Sequence, residues 1–354
     1  MANKNTRKVY LDFLKIIAIY MVIFNHTSAR GFVLFTVRRG SPFFIFYLFN
    51  AIFIKIAVPL FFMASGAILI GKKETLKRVI TNRFLKYLFL LLVASLIQYL
   101  YSCNKSSQSF SLSSFFTKVY TDRFAVAYWY LYTYLAYILL LPLLRRLANA
   151  MTTHEYYWMI VLYGLFRLIS IIDFLIWKGD LSHNSHFYLF ITDVYVFYPL
   201  TGFFIDQKME KKYCSWKTVG LLSLVSIISI IVCCLLTIYK CSLIDEWIEQ
   251  TCQSFFNTLI FIPSITVFLA AKTLFQNHKP KEKICNVITV LGGLTFGIYL
   301  IENILRKETE QVFIFLEPYI KTLPACWVWI LVVCLLGAAI VAVIKRIPGV
   351  NKFI

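Results

Sequence analysis

The chain has 354 residues, of which 60% are hydrophobic and only 15% are charged. A soluble domain usually carries about a quarter charged residues, so this composition argues against a water-soluble protein and favours one that lies in lipid. The formal charge of +19 would suit a nucleic-acid binder, but the basic residues occur in short clusters between apolar runs. Membrane topology explains that pattern better, and no nucleic-acid partner is expected.

Apolar windows predict ten transmembrane helices, so the expected fold is an all-α membrane bundle. The whole chain, 1–354, is expected to form one membrane domain without a separate soluble domain. Because ten is an even number, both termini must lie on the same side of the membrane. The predicted spans are 10–28, 43–70, 84–102, 127–147, 156–177, 186–205, 216–239, 253–275, 287–305 and 323–344.

The distribution of Lys and Arg predicts which side that is. With both termini inside, the inner segments hold 22 basic and 5 acidic residues, whereas the outer loops hold 11 basic and 8 acidic residues. Cytoplasmic loops of membrane proteins carry the excess of Lys and Arg. Both termini are therefore expected in the cytoplasm, and the protein is expected in the plasma membrane with lipids around it.

Ionisable side chains within spans are costly in lipid and often mark a polar interior or a functional site. For Lys55 and Asp173 we expect snorkelling to the interface or a structural ion pair. Arg167 and Asp193 suit a structural and a functional role equally. The full set within the predicted spans is Asp12, Lys15, Lys55, Arg167, Asp173, Asp193 and Glu302, with His26 near the outer end of the first span.

The first span places three of these side chains on one helical face. Lys15 and His26 are eleven residues apart, which is almost three turns, and Asp12 lies three residues before Lys15. Histidine suits proton transfer near neutral pH, although a lone histidine in an apolar helix is often only hydrogen-bonded to a neighbour. This stripe is expected to point into the bundle, with Lys15 toward the cytoplasm. It also includes Ala18, Ile19 and Val22.

Two features of the predicted outer loops have open roles. The loop at 103–126 is rich in Ser and Phe and could fold over an external cavity as a lid or a re-entrant segment. Cys241 and Cys252 flank another outer loop and could pair in an oxidising compartment. The chain has nine Cys but no CxxC pair, so the sequence predicts no metal site.

Four stretches of the chain resemble the membrane acyltransferase 3 family. YLDFLK at 10–15, followed by ten residues and His26, is similar to the opening signature of that family. Further along, and in the expected order, the similar stretches are VPLFFMASG at 58–66, WYL at 129–131 with LP at 141–142, and TFGIYLI at 295–301. The resemblance covers about 7–344. It implies a ten-helix enzyme that moves an acyl group, usually acetyl, from cytoplasmic acyl-CoA to a hydroxyl of an extracytoplasmic or lipid-linked glycan.

The resemblance also implies catalytic residues. His26 matches the catalytic histidine, and Lys15 matches the basic residue of the same motif, which Asp12 could hold in place by pairing with it. We expect His26 to act as a general base on the acceptor hydroxyl. An acyl-enzyme on Ser65 or on a Cys is a further option, but no base is adjacent in the sequence, so direct transfer is preferred.

A basic cluster in the inner loop 71–86 is expected to bind the donor, acetyl-CoA or another acyl-CoA. Arg83-Phe-Leu-Lys86 resembles, with Lys in the second place, an R-x-x-R element of the family. With Arg78 and Lys15, these residues could hold the CoA phosphates. The positive-inside rule alone would explain the same cluster.

The acceptor side is less defined. Ser65 and Trp129 lie in stretches that resemble the family, and both are candidates for acceptor binding. Glu302 stands where the family commonly has His after the Ile-Tyr-Leu-Ile stretch, so it could be a second acid/base, the partner of a cation such as Lys55, or part of a divergent acceptor site.

A transporter or flippase of a polysaccharide or lipid-linked glycan is the alternative from another functional class. The same charged stripe would then line the transport path. That reading predicts that His26→Ala alters flux without abolishing acyl transfer, and it expects an inverted repeat, which the sequence does not show. A membrane sensor or receptor domain is a third reading. In some relatives such a domain is fused to a soluble module, which is not expected in this chain.

Overall fold

The structure is a computed structural model that describes residues 8–107, 109–178, 184, 186–278 and 280–349. Within these ranges all regular elements are helices and no strand occurs, which confirms the all-α prediction. Several charges counted in the topology prediction lie outside the described residues, namely Lys4, Arg7, Asp180, Lys279 and Lys352.

The longer helices follow the predicted apolar runs. They are α1 (Val9–Asn25), α2 (Phe44–Leu69), α3 (Leu76–Ser106), α4 (Leu112–Thr121), α5 (Trp129–Ala150), α6 (Thr153–Trp177), α7 (Val194–Phe203), α8 (Trp216–Leu243), α9 (Phe261–Asn277), α10 (Glu282–Glu308), α11 (Glu310–Ile320) and α12 (Thr322–Ile344). Short helical turns lie between them or adjoin them at Ser28–Arg30, Leu34–Val37, Val126–Tyr128, Phe190–Thr192, Lys211–Tyr213, Glu249–Cys252 and Gln253–Phe255.

Seven helices of the described chain are long and apolar enough to cross a membrane. These are α2, α3, α5 (with its preceding turn), α6, α8, α10 and α12, and each coincides with a predicted span. The other three predicted spans contain the shorter helices α1, α7 and α9. Helix α7 is also extended by a π-helical stretch at Phe204–Lys208. The total of ten spans stays a prediction.

Helix α2 is interrupted by a 3₁₀ turn at Ile54–Ile56. Pro59 has no backbone N–H, so the carbonyl of Lys55 cannot receive its usual helical donor four residues later. The Lys55 ammonium binds the amide oxygen of Gln253 at 2.8 Å and lies 4.4 Å from the centroid of the Phe32 ring. Lys55 therefore has a neutral polar partner and an aromatic one.

The two ionisable residues with open roles, Arg167 and Asp193, have structural partners. A guanidinium nitrogen of Arg167 lies 3.3 Å from the carbonyl oxygen of Thr192, and its charge lies over the Tyr163 ring. The carboxylate of Asp193 accepts hydrogen bonds from two tyrosine hydroxyls, one of them that of Tyr195 at 2.8 Å. Both side chains thus hold the segment before α7 in place.

The described residues form two compact units. Unit 1 contains residues 8–71 and Leu144–Gly292, and unit 2 contains Lys72–Leu143 and residues 293–349. The unit boundaries fall within α5 and α10, so each of these helices contributes to both units. The single family domain expected from the sequence stays a prediction.

In unit 1, α2 and α7 cross with their backbones in contact. A Cβ atom on Gly66 would lie 2.0 Å from the carbonyl oxygen of Pro199, and one on Gly202 would lie 2.1 Å from that of Met63. Only glycine permits such an approach, because any side chain would clash with backbone. Gly66, the last residue of the family-like stretch at 58–66, is therefore required by the close packing of α2 against α7.

Long cationic side chains satisfy helix-terminal carbonyl groups at one end of unit 1. Carbonyls in the last turn of a helix lack intrahelical partners, and cations there also interact favourably with the helix dipole. In each contact a side-chain nitrogen donates to a backbone carbonyl oxygen. The donors and acceptors are Arg145 to Leu69 at 2.9 Å, Lys208 to Met151 at 2.6 Å and Lys272 to Ile205 at 2.6 Å. All three cations were assigned to the cytoplasmic side by the charge count.

In unit 2, α10 and the start of α5 are joined by two reciprocal hydrogen bonds. The Tyr128 hydroxyl donates to the carbonyl oxygen of Leu300 at 2.7 Å, and the Tyr299 hydroxyl donates to that of Ala127 at 2.6 Å. The loop predicted at 103–126 contains α4, whose buried Phe115 packs against Phe124.

Candidate functional site

The predicted polar stripe lies on α1 as expected. The Lys15 ammonium is 2.6 Å from a carboxylate oxygen of Asp12, which confirms that the two residues pair. Asp12 is only 2% exposed, and the stripe positions that follow it are buried as well. These positions are Ala18, Ile19 and Val22. The stripe therefore faces the interior of unit 1, which confirms its predicted orientation.

The backbone of α10 closes over the Asp12 carboxylate. A Cβ atom on Gly292 would lie 2.4 Å from Asp12 Cβ and 2.9 Å from Asp12 Cγ. Because Gly292 has no side chain, the helix backbone can shield this ion pair from solvent. The Lys15 side chain keeps 22% of its surface exposed, so its charge remains accessible from one side.

His26 is the C-cap residue of α1, and its backbone N–H donates to the carbonyl oxygen of Ile23 at 3.0 Å. The helix ends here because the Thr27 hydroxyl donates to the carbonyl oxygen of Phe24 at 2.7 Å and accepts the N–H of Phe32 at 3.0 Å. The imidazole is half-buried, with its Nδ1 atom shielded from solvent.

An unbroken helix separates Lys15 from His26. At 1.5 Å per residue the two positions are about 16 Å apart along the axis. The sequence predicted both ends of this stripe but not its contact with Gly292. The available signal was a glycine within a long apolar helix, which can indicate that another helix backbone comes close.

Ser65 is half-buried on α2, directly before Gly66. Since Gly66 touches Pro199, Ser65 lies beside the α2–α7 crossing. The structure places Ser65, Asp12, Lys15 and His26 in unit 1.

Three of the predicted donor-binding cations, Arg78, Arg83 and Lys86, lie in unit 2, whereas the fourth, Lys15, lies in unit 1. Arg83 is in a π-helical turn of α3, Ile80–Phe84, and makes a two-point ion pair with Glu74 at 2.9 Å and 2.6 Å. Turns of this kind are frequent at functional sites. Arg78 is exposed. Its backbone N–H donates to the hydroxyl oxygen of Thr75 at 3.3 Å, and Thr75 thereby caps the start of the helix.

Lys86 belongs to the same positively charged region. Arg83 and Lys345 both lie within electrostatic reach of its ammonium. The Lys345 ammonium itself donates to the carbonyl oxygen of Gly293 at 2.7 Å. The charge distribution predicts Lys345 only as a cytoplasmic tail charge, because nothing in its local sequence shows which helix it faces.

Glu302 is 1% exposed on α10, and its carboxylate lies 3.5 Å from Nε of Arg306, one turn later. A cation therefore accompanies Glu302, but it is Arg306, whereas Lys55 binds Gln253 in unit 1. Trp129 is the first residue of α5 and is 37% exposed.

A buried tyrosine cluster in unit 2 was missed by the sequence analysis. Tyr130, Tyr134 and Tyr137 follow a helical spacing on α5, and that spacing was the signal that could have found them. Tyr134 lies 4.9 Å from Tyr87 and Tyr130 lies 5.7 Å from Tyr299, between ring centroids. The cluster runs from the turn after Arg83 to the turn before Glu302. It gives unit 2 a continuous interior of phenol groups.

Among the residues that the structure describes, no group of His, Cys, Asp and Glu side chains is arranged to hold a metal ion.

Comparison with known proteins gives one result. The family model Acyl_transf_3, described as an acyltransferase domain, matches residues 8–345 and so spans every site residue described above. No curated protein and no solved structure matches the chain.

Proposed function

The chain belongs to the membrane acyltransferase 3 family, and from that premise we propose that it transfers an acetyl group from cytoplasmic acetyl-CoA to a hydroxyl of an extracytoplasmic or lipid-linked glycan. The proposal rests mainly on His26, which ends a helix whose same buried face holds the Asp12–Lys15 ion pair. Acyl-CoA, the glycan acceptor and membrane lipids are the partners in this reaction.

The proposed topology has ten spans, cytoplasmic termini and a place in the plasma membrane. The 17 residues of α1 and of α9 each give a helix of about 26 Å, close to the roughly 30 Å of the hydrocarbon core. The contacts of Arg145, Lys208 and Lys272 support this topology, because they join segments that the charge count assigns to one side.

The donor is proposed to bind through its phosphates. Arg83, Lys86 and Lys345 form a positive region of unit 2, and the exposed Arg78 adds a further cation in the same unit. Guanidinium groups bind phosphates in a two-point geometry, which Glu74 already uses on Nε and Nη2 of Arg83. A phosphate would therefore use Nη1 or displace Glu74.

In the proposed reaction the acceptor hydroxyl gives its proton to the His26 imidazole as its oxygen bonds to the thioester carbonyl carbon. The carbon–sulfur bond breaks, and the CoA sulfur takes the proton from the imidazolium and leaves as the thiol. A base of this kind contributes about 10²- to 10⁴-fold to the rate. Ser65 does not enter the chemistry in this scheme, and its position beside the α2–α7 crossing suits a lining role.

Acceptor binding is proposed for two residues of unit 2. The exposed ring of Trp129 offers an apolar face to a sugar, and the buried Glu302 carboxylate would accept hydrogen bonds from sugar hydroxyls.

The test is glycan mass spectrometry on cells with and without the gene, complemented by wild type or by His26→Ala. The proposal expects an ester mass increment that wild type restores and His26→Ala does not. If ester content never changes while glycan export does, the transporter alternative replaces the enzyme.

A further inference from the structure

Two cysteines of unit 1 face each other at one end of α8. Cys241 is in the last turn of α8, and Cys252 ends the short helix Glu249–Cys252. Their sulfur atoms are 2.9 Å apart, and both side chains are 0% exposed. The chain therefore places two thiols side by side in a position shielded from solvent, although they are eleven positions apart in the sequence.

The fold of the connecting loop explains this proximity. Asp245 takes a left-handed conformation with φ of 47°, and the N–H of Glu246 then donates to the carbonyl oxygen of Cys241 at 3.0 Å. On the far side of the loop, the Lys240 ammonium donates to the Ser254 hydroxyl at 2.8 Å. The first bond turns the chain back after Cys241, and the second joins the two ends of the loop next to the cysteine pair.

The charges of the loop indicate the compartment. Between the two cysteines the sequence contains Asp245, Glu246 and Glu249 but neither Lys nor Arg. Loops of this composition are typical of the outer face of a membrane protein. Disulfides form and persist outside the reducing cytoplasm.

We propose that Cys241 and Cys252 form a disulfide on the extracytoplasmic side. One S–S bond forms as two S–H bonds break, and the two electrons and two protons pass to the disulfide of an external thiol oxidoreductase, which is reduced to two thiols. The inference rests on the membrane orientation given under the proposed function, but not on the reaction itself.

The cross-link would fix the partner of the half-buried Lys55. Gln253 directly follows Cys252; its amide oxygen accepts from Lys55 at 2.8 Å and its amide nitrogen donates to Glu249 at 2.7 Å. A disulfide at Cys252 would therefore also hold Gln253 and Glu249 in place beside Lys55, which lies inside a predicted span. Loss of the disulfide is expected to lower the Tm of the protein by a few degrees.

The experiment examines the full-length protein from cells treated with N-ethylmaleimide before lysis and then denatured in fresh N-ethylmaleimide without reductant, so that buried free thiols are labelled as well. Trypsin cleaves after Lys240 and Lys272, so both cysteines fall in one peptide that contains no other cysteine. We expect this peptide to be unlabelled and lighter by two hydrogens than its dithiol form, and to take two labels after reduction. The peptide that ends at Lys240 contains Cys233 and Cys234 and is the matched control, because these buried thiols are expected to be labelled without reduction.

Two labels on the 241–272 peptide without reduction would overturn the proposal. Cys241→Ser, Cys252→Ser and the double variant supply a second readout, since loss of one bond predicts the same fall in Tm for all three. Unequal falls that add in the double variant would instead indicate two independent packing contributions. Free thiols together with normal ester transfer would sink the disulfide alone, whereas a disulfide without ester transfer would sink only the proposed reaction.

Discussion

Gly292 and Asp12 are in direct contact, because a carbon atom added at position 292 would lie 2.9 Å from the Cα of Asp12. Backbone on both sides leaves neither helix room to give way. The Asp12–Lys15 ion pair is consequently sensitive to a residue far from it in the sequence.

We therefore expect Gly292→Ala to lower the free energy of unfolding by about 1–3 kcal/mol, as overpacking of a tight contact does. The measurement is thermal unfolding of the detergent-solubilised protein. Gly220→Ala is the control, since a Cβ atom there meets nothing within 4 Å. Equal stability of the two variants would contradict the close approach of α10 to Asp12.

The ion pair itself makes a second prediction. Lys15→Met removes the cation that pairs with the buried Asp12 carboxylate, and breaking a buried pair by removing one partner costs about 3–5 kcal/mol. Asp12→Asn with Lys15→Met removes both charges and is expected to regain part of that loss. The readout is a double-mutant cycle on unfolding. Additive effects of the two single changes would show that the residues do not stabilise each other.

Much of the fold could be predicted because the length and apolar character of a membrane-spanning helix are properties of a continuous stretch of sequence. Length and hydropathy located the seven long spans, and turn count alone put Asp12, Lys15 and His26 on one face of α1. The three shorter helices were overestimated in length, since hydropathy does not register where a helix is capped. Helix α1 ends at Asn25 with His26 as its C-cap.

The site residues were only partly predictable, because several of their contacts join residues that no local pattern relates. The Asp12–Lys15 pair follows from spacing within a helix, whereas the Arg83–Glu74 pair depends on the shape of the turn between them. The partner of Lys55 lies almost 200 residues away at Gln253, and no local pattern indicates it.

Arg83 and Glu74 offer a test of the donor site. If Arg83 binds a CoA phosphate, Arg83→Ala is expected to raise the KM for acetyl-CoA about tenfold, equivalent to about 1.4 kcal/mol. Glu74→Gln removes the competing carboxylate but keeps the guanidinium, so KM is expected to stay near the wild-type value or fall. Initial rates of label transfer from radiolabelled acetyl-CoA in membranes supply both numbers.

Lys77→Ala is the matched control, because it removes an exposed cation from the same segment. A rise in KM equal to that of Arg83→Ala would indicate a general charge effect rather than a specific contact. If Arg83→Ala and Glu74→Gln lower Tm equally and neither changes KM, the pair only anchors the π-helical turn.

The role of His26 is tested most directly by acetyl transfer in inverted membrane vesicles, with radiolabelled acetyl-CoA supplied to the cytoplasmic face. Wild-type protein is expected to label the glycan, and His26→Ala is expected to label it about 10²- to 10⁴-fold more slowly. His278→Ala removes an exposed histidine and should transfer at the wild-type rate. Wild-type transfer by a folded His26→Ala protein would contradict the account.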